Sequence, residues 1–200
     1  MGVKAGAIVL AAGASRRMGR QKVLLPFAGS TVIEHIVGEL RAGGVTDVVV
    51  VTGKDPDRVE AQLANANVRF AHNADFESGM LSSVRVGLQS VGDNWDGVCI
   101  ALGDQPSIRG ETVKMLLDAF DGTSIVRPTF DGRGGHPIVI GRGYFDEVLT
   151  DFDDVGLRGL FDRRRDSVVS VPIGHEGVLR DMDYPEDYVR ELQIWEEEAG

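Results

Sequence analysis

Four basic side chains and two glycines lie within one short segment near the start of the sequence, VLAAGASRRMGRQKVLLP (residues 9–26). Residues 1–22 contain five of the 21 Lys and Arg residues and none of the 31 Asp and Glu residues, although the chain has a net charge of −10. Glycine lets backbone amides approach an anion, and arginine and lysine neutralise phosphate oxygens. The segment therefore predicts a binding loop for a triphosphate, with a solvated basic loop as the alternative. The basic residues are Arg16, Arg17, Arg20 and Lys22, and the glycines are Gly13 and Gly19.

This loop differs from the two common phosphate-binding motifs. Five residues rather than four separate Gly13 from Gly19, and no Lys-Ser/Thr pair follows, so the segment is not a Walker loop. It is not a GxGxxG fingerprint either, which disfavours an oxidoreductase with a dinucleotide cofactor.

A carboxylate follows a buried-strand pattern in the segment ALGDQPSI (101–108). Asp104 at the end of such a strand can hold Mg²⁺, which takes oxygen ligands and usually one or two carboxylates together with substrate phosphates. A plain turn, with Gly103 at the bend and Pro106 ending the strand, explains the same residues. From the residues alone, both interpretations stay open.

Composition indicates a globular chain and disfavours several classes of protein. Hydrophobic residues make up 42% of the sequence, and the acidic net charge disfavours a general nucleic-acid binder. Cys99 is the only cysteine, which excludes an internal disulfide and a cysteine-built metal site. No apolar stretch approaches the roughly 20 residues of a membrane span, and the start lacks a signal-peptide pattern. A cytoplasmic protein without membrane or nucleic-acid partners is expected.

Short apolar runs alternate with amphipathic stretches along the chain. Strands are predicted at Ala7–Leu10, Val48–Thr52, Val68–Ala71, Val98–Leu102, Ser124–Arg127, Pro137–Ile140 and Val168–Val171. Helices are predicted at Val32–Arg41, Asp57–Ala64, Leu81–Val91, Glu111–Phe120, Tyr144–Leu149, Leu157–Arg163 and Pro185–Glu198. This alternation predicts a three-layer α/β/α, Rossmann-like fold with a mostly parallel central sheet, in one domain over residues 1–200. The basic loop then follows the carboxyl end of the first strand, where such sheets bind ligands.

The opening segment resembles the signature loop of the MobA-like nucleotidyltransferases. The shared pattern is Leu-Ala-Ala-Gly-x-Ser-x-Arg-Met-Gly-x-x-Lys from Leu10 to Lys22, followed by Leu24, Leu25, Pro26 and Gly29. It is most similar to the branch that attaches a cytidine nucleotide to molybdopterin, since the guanylyl branch usually has Leu-Ala-Gly-Gly where this chain has Ala12. The resemblance implies a GT-A-like fold and an enzyme that transfers CMP from CTP to the phosphate of molybdopterin. Pyrophosphate would be released, and Mg²⁺, or alternatively Mn²⁺, would be the metal ion.

The resemblance also implies roles for the matching residues. The loop would wrap the triphosphate and line part of the base pocket, and the catalytic residues would be Arg17, Lys22 and Asp104, the last within the family's Gly-Asp-x-Pro metal motif. The nucleotide-binding residues would be Leu10, Ala11, Ala12, Gly13, Ser15, Arg17, Gly19 and Lys22, joined by Asn73, Gly79, Ser82 and Ser83 of HNADFESGMLSSVRVGL (72–88). An ordinary serine-capped helix start explains that second segment equally well.

Two later segments extend the resemblance to the acceptor and the metal. RGGHPIVI (133–140) resembles a Gly-His-Pro element near the acceptor, and GLRGLF (156–161) has a family counterpart too, so His136 and Arg158 would bind the acceptor. A structural histidine and an exposed arginine are the alternatives. LRDMDYPEDY (179–188) resembles Asp-Ile-Asp-Thr-Pro-Glu-Asp, which implies that Asp183, rather than Asp181, joins Asp104 at the metal.

One departure from the family pattern affects this last segment. Tyr184 stands where the family usually has threonine, just before Pro185 at the predicted first helical position. Tyrosine is a poor helix cap, so Asp183 is expected to be drawn toward the helix end, in competition with its metal role.

Several functional alternatives stay open at this point. The nucleotide could be GTP, the acceptor could be a sugar phosphate or an alcohol phosphate, and a non-catalytic nucleotide-binding cofactor chaperone would keep the same fold. The expected partners are CTP or another NTP and a phosphorylated acceptor such as molybdopterin, with transient contact to a molybdoenzyme or its chaperone.

Overall fold

The structure is a computed structural model that describes residues 3–92 and 94–199, with only the backbone of Arg16 and Ala199. The strands are Ala5–Ala11 (β1), Pro26–Phe27 (β2), Ser30–Thr31 (β3), Val48–Thr52 (β4), Arg69–His72 (β5), Gly97–Leu102 (β6), Ile125–Phe130 (β7), Arg133–Gly134 (β8), Ile138–Gly141 (β9) and Val168–Pro172 (β10). The α-helices are Val32–Ala42 (α1), Pro56–Gln62 (α2), Met80–Gln89 (α3), Gly110–Ala119 (α4), Phe145–Thr150 (α5), Arg158–Arg163 (α6) and Pro185–Ala199 (α7).

A central sheet has the strand order β10-β7-β9-β6-β1-β4-β5, with β8 paired to β7. β1 is parallel to β4 and β6, β5 is parallel to β4, and β10 is parallel to β7. β9 runs antiparallel between β6 and β7. The predicted mostly parallel sheet is confirmed. The direction of β9 could not be predicted, because a short apolar run looks the same in either direction.

Helices cover both faces of this sheet. Alternate side chains of β1 enter two cores: Val9 packs in the same core as Ile36 of α1 and Leu116 of α4, whereas Ile8 packs with Val84 of α3. A strand that helices cover on both faces has a continuous run of apolar residues in its sequence. β4 is such a strand, since each of its residues is buried. The three-layer α/β/α architecture is therefore confirmed.

Most predicted elements are present, with boundaries that differ by three residues at most. The hairpin of β2 and β3 and the short β8 were not predicted, since two-residue strands carry no periodicity. Among the helices of the described residues, none combines the length and apolar character needed to cross a membrane.

Four loops meet at one edge of the sheet. Because β1, β4, β5 and β6 are mutually parallel, the loops after their carboxyl ends lie on the same side. The chain passes from β1 outward to β4 and β5, then returns to β6 on the other side of β1. Such a change of direction opens a crevice between the two loops at that point, and these loops contain the signature segment and Asp104.

Candidate functional site

The loop after β1 is closed by Ser15. Its hydroxyl accepts a hydrogen bond from the backbone N–H of Lys22 at 3.0 Å, and its carbonyl accepts one from Met18 at 3.1 Å. Ser15 has a φ of 48°, in the left-handed region that non-glycine residues seldom occupy. The side chain of Ser15 thus holds the two ends of the loop together, and Lys22 is fixed at its end.

Gly103 brings Asp104 against this loop. The backbone N–H of Gly103 donates to the carbonyl of Leu10 at 3.0 Å. A Cβ at position 103 would lie 2.6 Å from that same oxygen, so only glycine fits without a shift of the backbone. The Gly-Asp pair is therefore more than a turn: it docks the end of β6 on the end of β1.

The ammonium group of Lys22 lies between two carboxylates. It contacts Asp104 Oδ2, lies 3.3 Å from Asp183 Oδ1 and donates to the carbonyl of Met182 at 3.1 Å. The side chains of Lys22 and Asp104 are 13% and 23% exposed, so this charge pair is partly shielded from water. Residues from three distant parts of the sequence meet here.

The two carboxylates provide a suitable donor set for a hard divalent cation. Within the described residues there is no group of three or more His, Cys, Asp or Glu side chains that could hold a metal ion. Asp104 and Asp183 converge on one cation, Lys22, and two carboxylates plus substrate phosphates are the usual environment of Mg²⁺ in nucleotide sites. The residues present fit a metal that is held partly by the protein and partly by the substrate.

Arg17 lies over Asp183 and the ring of Tyr184. One guanidinium nitrogen is 3.1 Å from Asp183 Oδ2, and its carbon is 5.3 Å from the ring centroid of Tyr184. The side chains of Arg17 and Asp183 are 61% and 49% exposed, so this pair contributes little to stability. Its effect is to orient Arg17 toward the second carboxylate. The side chain of Arg16, also predicted as part of the basic loop, lies outside the described residues.

Asp187, not Asp183, caps the last helix. Asp187 Oδ2 accepts hydrogen bonds from the backbone N–H groups of Asp183 at 3.0 Å and Tyr184 at 2.9 Å. These bonds lower the pKa of the Asp187 carboxyl. The expectation that Asp183 would be drawn into capping is wrong, because a carboxylate three residues into the turn reaches back instead. The side chain of Asp183 is left for Lys22 and Arg17.

Asp181 has a different partner from Asp183. Its Oδ1 accepts from the amide of Gln105 at 2.5 Å. Desolvation raises the pKa of the Asp181 carboxyl, and the nearby carboxylates of Asp104 and Asp183 raise it further. Asp181 thus ties its segment to the Asp104 turn, while Asp183 faces the cations.

Two adjoining cavities flank Lys22. One, of about 250 Å³, is lined by the predicted residues Leu10, Ala11, Ala12, Gly13, Lys22, Gly79, Ser83 and Asp104 and by Val23, Phe76, Met80, Leu102 and Gly103. The other, of about 320 Å³, is lined by Gly13, Ala14, Ser15, Arg17, Met18, Lys22, Phe76, Glu77 and Asp183. Gly19 lies outside both and lines a separate cavity behind the loop. The first has the mixed apolar and polar lining that a nucleoside needs, and the second is lined by the cationic loop.

Asn73 and Ser82 lie next to the 250 Å³ cavity but do not line it. Asn73 is 2% exposed, and its amide donates to the hydroxyls of Ser82 at 2.8 Å and Ser83 at 2.9 Å. Only Ser83 of these three lines the cavity. Gly79 has φ 114° and ψ 174°, a conformation essentially restricted to glycine. In this arrangement Asn73 positions the two serines and does not itself line the 250 Å³ cavity.

His136 and Arg158 lie together in a cavity of about 290 Å³. Met80 lines both this cavity and the 250 Å³ cavity, so the two are neighbours. Burial lowers the pKa of His136 below its ordinary value of 6.5, an effect that the Asp104 carboxylate partly opposes. The guanidinium of Arg127 is 5.7 Å from the ring centroid of Phe161, and both residues also line this cavity. The lining therefore combines two arginines, the imidazole of His136 and apolar side chains.

Sequence reasoning missed several of these residues. Phe76 and Met80 lie within the segment 72–88, but apolar side chains near the start of a helix are typical of ordinary helix packing. Arg127 is the last residue of the predicted strand Ser124–Arg127, and a charged side chain at the end of an apolar run is the signal that could have found it. The carbonyl of Met182 carries no signal in the sequence at all.

Known proteins resemble this chain over nearly its whole length. Nicotine blue oxidoreductase of Paenarthrobacter nicotinovorans is 31% identical over 194 residues, covering 92% of this chain and 95% of that protein. The molybdenum cofactor cytidylyltransferase of Escherichia coli strain K12 is 24% identical over 183 residues, covering 91% and 92%. The crystal structure of Rv0371C from Mycobacterium tuberculosis H37Rv in complex with manganese is 28% identical, has a TM-score of 0.81 and covers 96% of this chain and 100% of that one.

The family itself is indicated by a match along most of the sequence. A model of the MobA-like NTP transferase domain matches residues 7–168, which include the signature loop, the Asp104 turn and His136. Because that match extends over well more than half of the sequence, this chain belongs to the MobA-like NTP transferase family.

Proposed function

We propose that this chain transfers CMP from CTP to the terminal phosphate of molybdopterin and releases pyrophosphate, with Mg²⁺ or Mn²⁺ as the metal ion. The observation that carries the proposal is the meeting of Lys22, Asp104 and Asp183 beside two cavities, one suited to a nucleoside and one lined by the basic loop. The choice of nucleotide and acceptor is supported by Ala12 in the signature loop and by the similarity to the Escherichia coli cytidylyltransferase.

The acceptor is proposed to bind in the cavity that contains His136 and Arg158. Arg127 and Arg158 would pair with its phosphate, since guanidinium groups bind phosphate in a bidentate manner. Ile138, Leu157 and Phe161 offer an apolar surface to the body of the acceptor. This lining suits a ring system better than a sugar, which needs hydrogen-bond partners for each hydroxyl.

The reaction needs no covalent enzyme intermediate, because a phosphorylated acceptor is already a nucleophile. An oxygen of its phosphate attacks the α-phosphorus of the nucleotide, and the bond from that phosphorus to the bridging oxygen of the β-phosphate breaks. Pyrophosphate leaves with the electron pair. Lys22 and Arg17 stabilise the growing negative charge on the leaving group, and the loop amides hold the phosphates in place.

Asp104 and Asp183 would hold the divalent cation. When bound, this ion supplies charge neutralisation between the α-phosphate and the acceptor phosphate, which otherwise repel each other. With the carboxylates held by that ion, the ammonium group of Lys22 would be available to the triphosphate. His136, whose pKa burial lowers, would orient the acceptor.

A second candidate is a redox activity, favoured by the 31% identity to nicotine blue oxidoreductase over 92% of this chain. The absence of a GxGxxG fingerprint in the signature loop disfavours it. Oxidation of NADH or NADPH in the presence of nicotine blue, followed by absorbance, tests this candidate directly.

Pyrophosphate release with purified molybdopterin and each of CTP, GTP, ATP and UTP tests the main proposal. We expect turnover with Mg²⁺ and a kcat/KM for CTP at least about tenfold above that for the other nucleotides, the amount that one or two base contacts supply. Tight binding of CTP without turnover on molybdopterin or on sugar and alcohol phosphates would instead favour a non-catalytic chaperone.

The variant Asp104→Ala tests whether Asp104 binds the metal ion. This variant should fold normally and lose nearly all turnover, because one of two carboxylate ligands is gone. The matched control is Asp118→Ala, an exposed aspartate at the far end of α4. If Asp104→Ala keeps full activity with Mg²⁺, the metal does not bind there.

A further inference from the structure

Met80 is the residue that two of the cavities share. It lines the 250 Å³ cavity proposed for the nucleoside and the 290 Å³ cavity proposed for the acceptor, called here the nucleoside cavity and the acceptor cavity. Among the described residues, no other one lines both. Met80 is 47% exposed, so its side chain has free surface for a ligand to contact. It therefore forms part of the wall between the places of the two substrates.

The backbone of Met80 is held in a fixed position, whereas its side chain can adapt. Met80 is the first residue of α3, and Gly79 before it has the φ of 114° that few other residues could adopt. The amide of Asn73 donates to two serine hydroxyls of the same helix, which secures its first turn. A thioether side chain has three rotatable bonds and follows irregular surfaces. Such a residue can fit the surface of a ligand without a shift of the helix.

The acceptor cavity combines an apolar wall with cations. Met80 comes from α3, and Leu157 and Phe161 approach from the segment of α6, so two parts of the chain provide apolar surface. The Arg158 side chain is 88% exposed, and the Arg127 guanidinium is 5.7 Å from the ring centroid of Phe161. A ligand whose phosphate pairs with these arginines thus has apolar side chains available to the rest of its body.

We propose that Met80 determines acceptor specificity by packing its thioether group on the face of an aromatic or heteroaromatic ring. Sulfur and aromatic rings attract each other, and Met80 offers no hydrogen bond to the hydroxyls of a sugar. Because the same side chain also borders the nucleoside cavity, this contact places the ring beside the nucleotide. The inference rests on the proposed function for the identity of the acceptor cavity and adds the residue that selects the acceptor.

Isothermal titration with two monophosphates of the same charge tests this role without turnover. In buffer with EDTA, 1-naphthyl phosphate presents an aromatic body and glucose 1-phosphate a sugar body. We expect Met80→Ala to weaken binding of the naphthyl ester by at least about fivefold, because apolar area and the sulfur–ring contact are lost. Binding of the glucose ester should change by less than about twofold. Phe161→Ala should also weaken the naphthyl ester, as expected for a ligand in the acceptor cavity.

Two further variants control for volume and for fold. Met80→Leu keeps an apolar side chain of similar size and should bind the naphthyl ester within about threefold of the unaltered chain. Met115→Ala truncates a methionine of α4 that is 39% exposed and lines neither cavity, and it should bind both esters like the unaltered chain. Circular dichroism checks that each variant folds. The proposal is overturned by equal losses for both esters in Met80→Ala, by an unchanged affinity for the naphthyl ester, or by its failure to bind the unaltered chain.

Turnover separates this proposal from the proposed function. With CTP and molybdopterin, Met80→Ala should raise the KM for the acceptor by at least about fivefold and the KM for CTP by less than about twofold. Transfer of CMP with an unchanged acceptor KM in Met80→Ala would overturn the role of Met80 and leave the proposed function standing. A chain that binds the naphthyl ester through Met80 but transfers no nucleotide would refute the proposed function and leave the ring contact standing.

Discussion

Lys22 has two neighbours that a divalent cation would also seek. Its ammonium group touches Asp104 and lies 3.3 Å from Asp183, which is also paired with Arg17, so two cations face the two carboxylates. A nucleotide with its metal brings both an anion for the lysine and a cation for the aspartates. In the proposed reaction, this exchange of partners would keep the charges of Lys22 and Asp104 compensated, which matters because these two side chains are partly shielded from water.

Lys22→Ala should affect triphosphates far more than monophosphates. We expect kcat/KM with CTP to fall by about 100-fold, the usual cost of removing one charged donor that stabilises a developing anion. The affinity for CMP should change by less than about threefold, since CMP lacks the β- and γ-phosphates. Lys4→Ala is the control, and the measurements are steady-state kinetics and calorimetric binding of CMP. Equal losses for CTP and CMP would contradict the placement of Lys22 at the leaving group.

Tyr184 shows how a departure from a family pattern is accommodated at one residue. Tyrosine is a poor helix cap, and the carboxylate of Asp187 supplies the hydrogen-bond acceptor from within the helix instead. The ring of Tyr184 lies against the guanidinium of Arg17, a contact that threonine could not make. The substitution thus orients Arg17 without disturbing Asp183.

At the scale of elements, α7 anchors the segment that carries Asp183. Glu191 on this helix is fully buried at its side chain, accepts from Arg180 at 2.7 Å and contacts the hydroxyl of Ser107. Arg180 donates to the same hydroxyl at 2.7 Å. This cluster joins the turn that follows β6 and contains Asp104 to the start of the segment that contains Asp183. We therefore expect Glu191 to act as a positioning residue for Asp104 and Asp183, the two carboxylates proposed to bind the metal.

Glu191→Ala should destabilise the protein and loosen the metal site together. Removing one partner of a buried ion pair leaves the other uncompensated, so we expect the free energy of unfolding to fall by about 3 kcal/mol. Urea denaturation measures this loss, and Glu196→Ala, an exposed residue of the same helix, should stay within about 0.5 kcal/mol.

The affinity for Mn²⁺, followed calorimetrically at a temperature where the Glu191→Ala variant is folded, should also decrease. A variant with unchanged Mn²⁺ affinity would restrict Glu191 to a purely structural role.

At the scale of the whole molecule, partly buried histidines link stability to pH. Burial lowers the pKa of His35, which packs on Phe27 with ring centroids 5.0 Å apart, and Glu39 partly opposes this shift. Burial likewise lowers the pKa of His136 and His175. As the pH falls, the unfolded chain therefore protonates these histidines at a higher pH than the folded chain does. Stability is fully present above the ordinary value of 6.5 and is lost as the pH falls below it.

The free energy of unfolding should accordingly be lower at pH 5.5 than at pH 7.5. Each unit by which a folded-state pKa lies below 6.5 accounts for at most ~1.4 kcal/mol. His35→Gln should reduce this slope, because glutamine does not titrate. Urea denaturation across this range is the measurement. A slope that His35→Gln does not alter would assign the effect to other groups.

The sequence by itself determined the alternation of strands and helices, the loop after the first strand and the family. These features are local, because apolar runs, glycine spacing and clustered charge are properties of consecutive residues. Parallel strands then place the loops that follow them at one edge of the sheet. It also marked Asp104 and Asp183 as candidates, although only by resemblance to known proteins could the second be chosen over Asp181.

Only the tertiary structure decided which of these side chains touch. The antiparallel course of β9, the contact of Lys22 with two aspartates 82 and 161 residues away, and the meeting of Gln21 with Lys54 behind the loop all depend on strand register and packing. Such contacts are non-local and leave no period in the sequence. The geometry of these contacts depends on how the helices pack on the two faces of the sheet. No single segment of the sequence determines that packing.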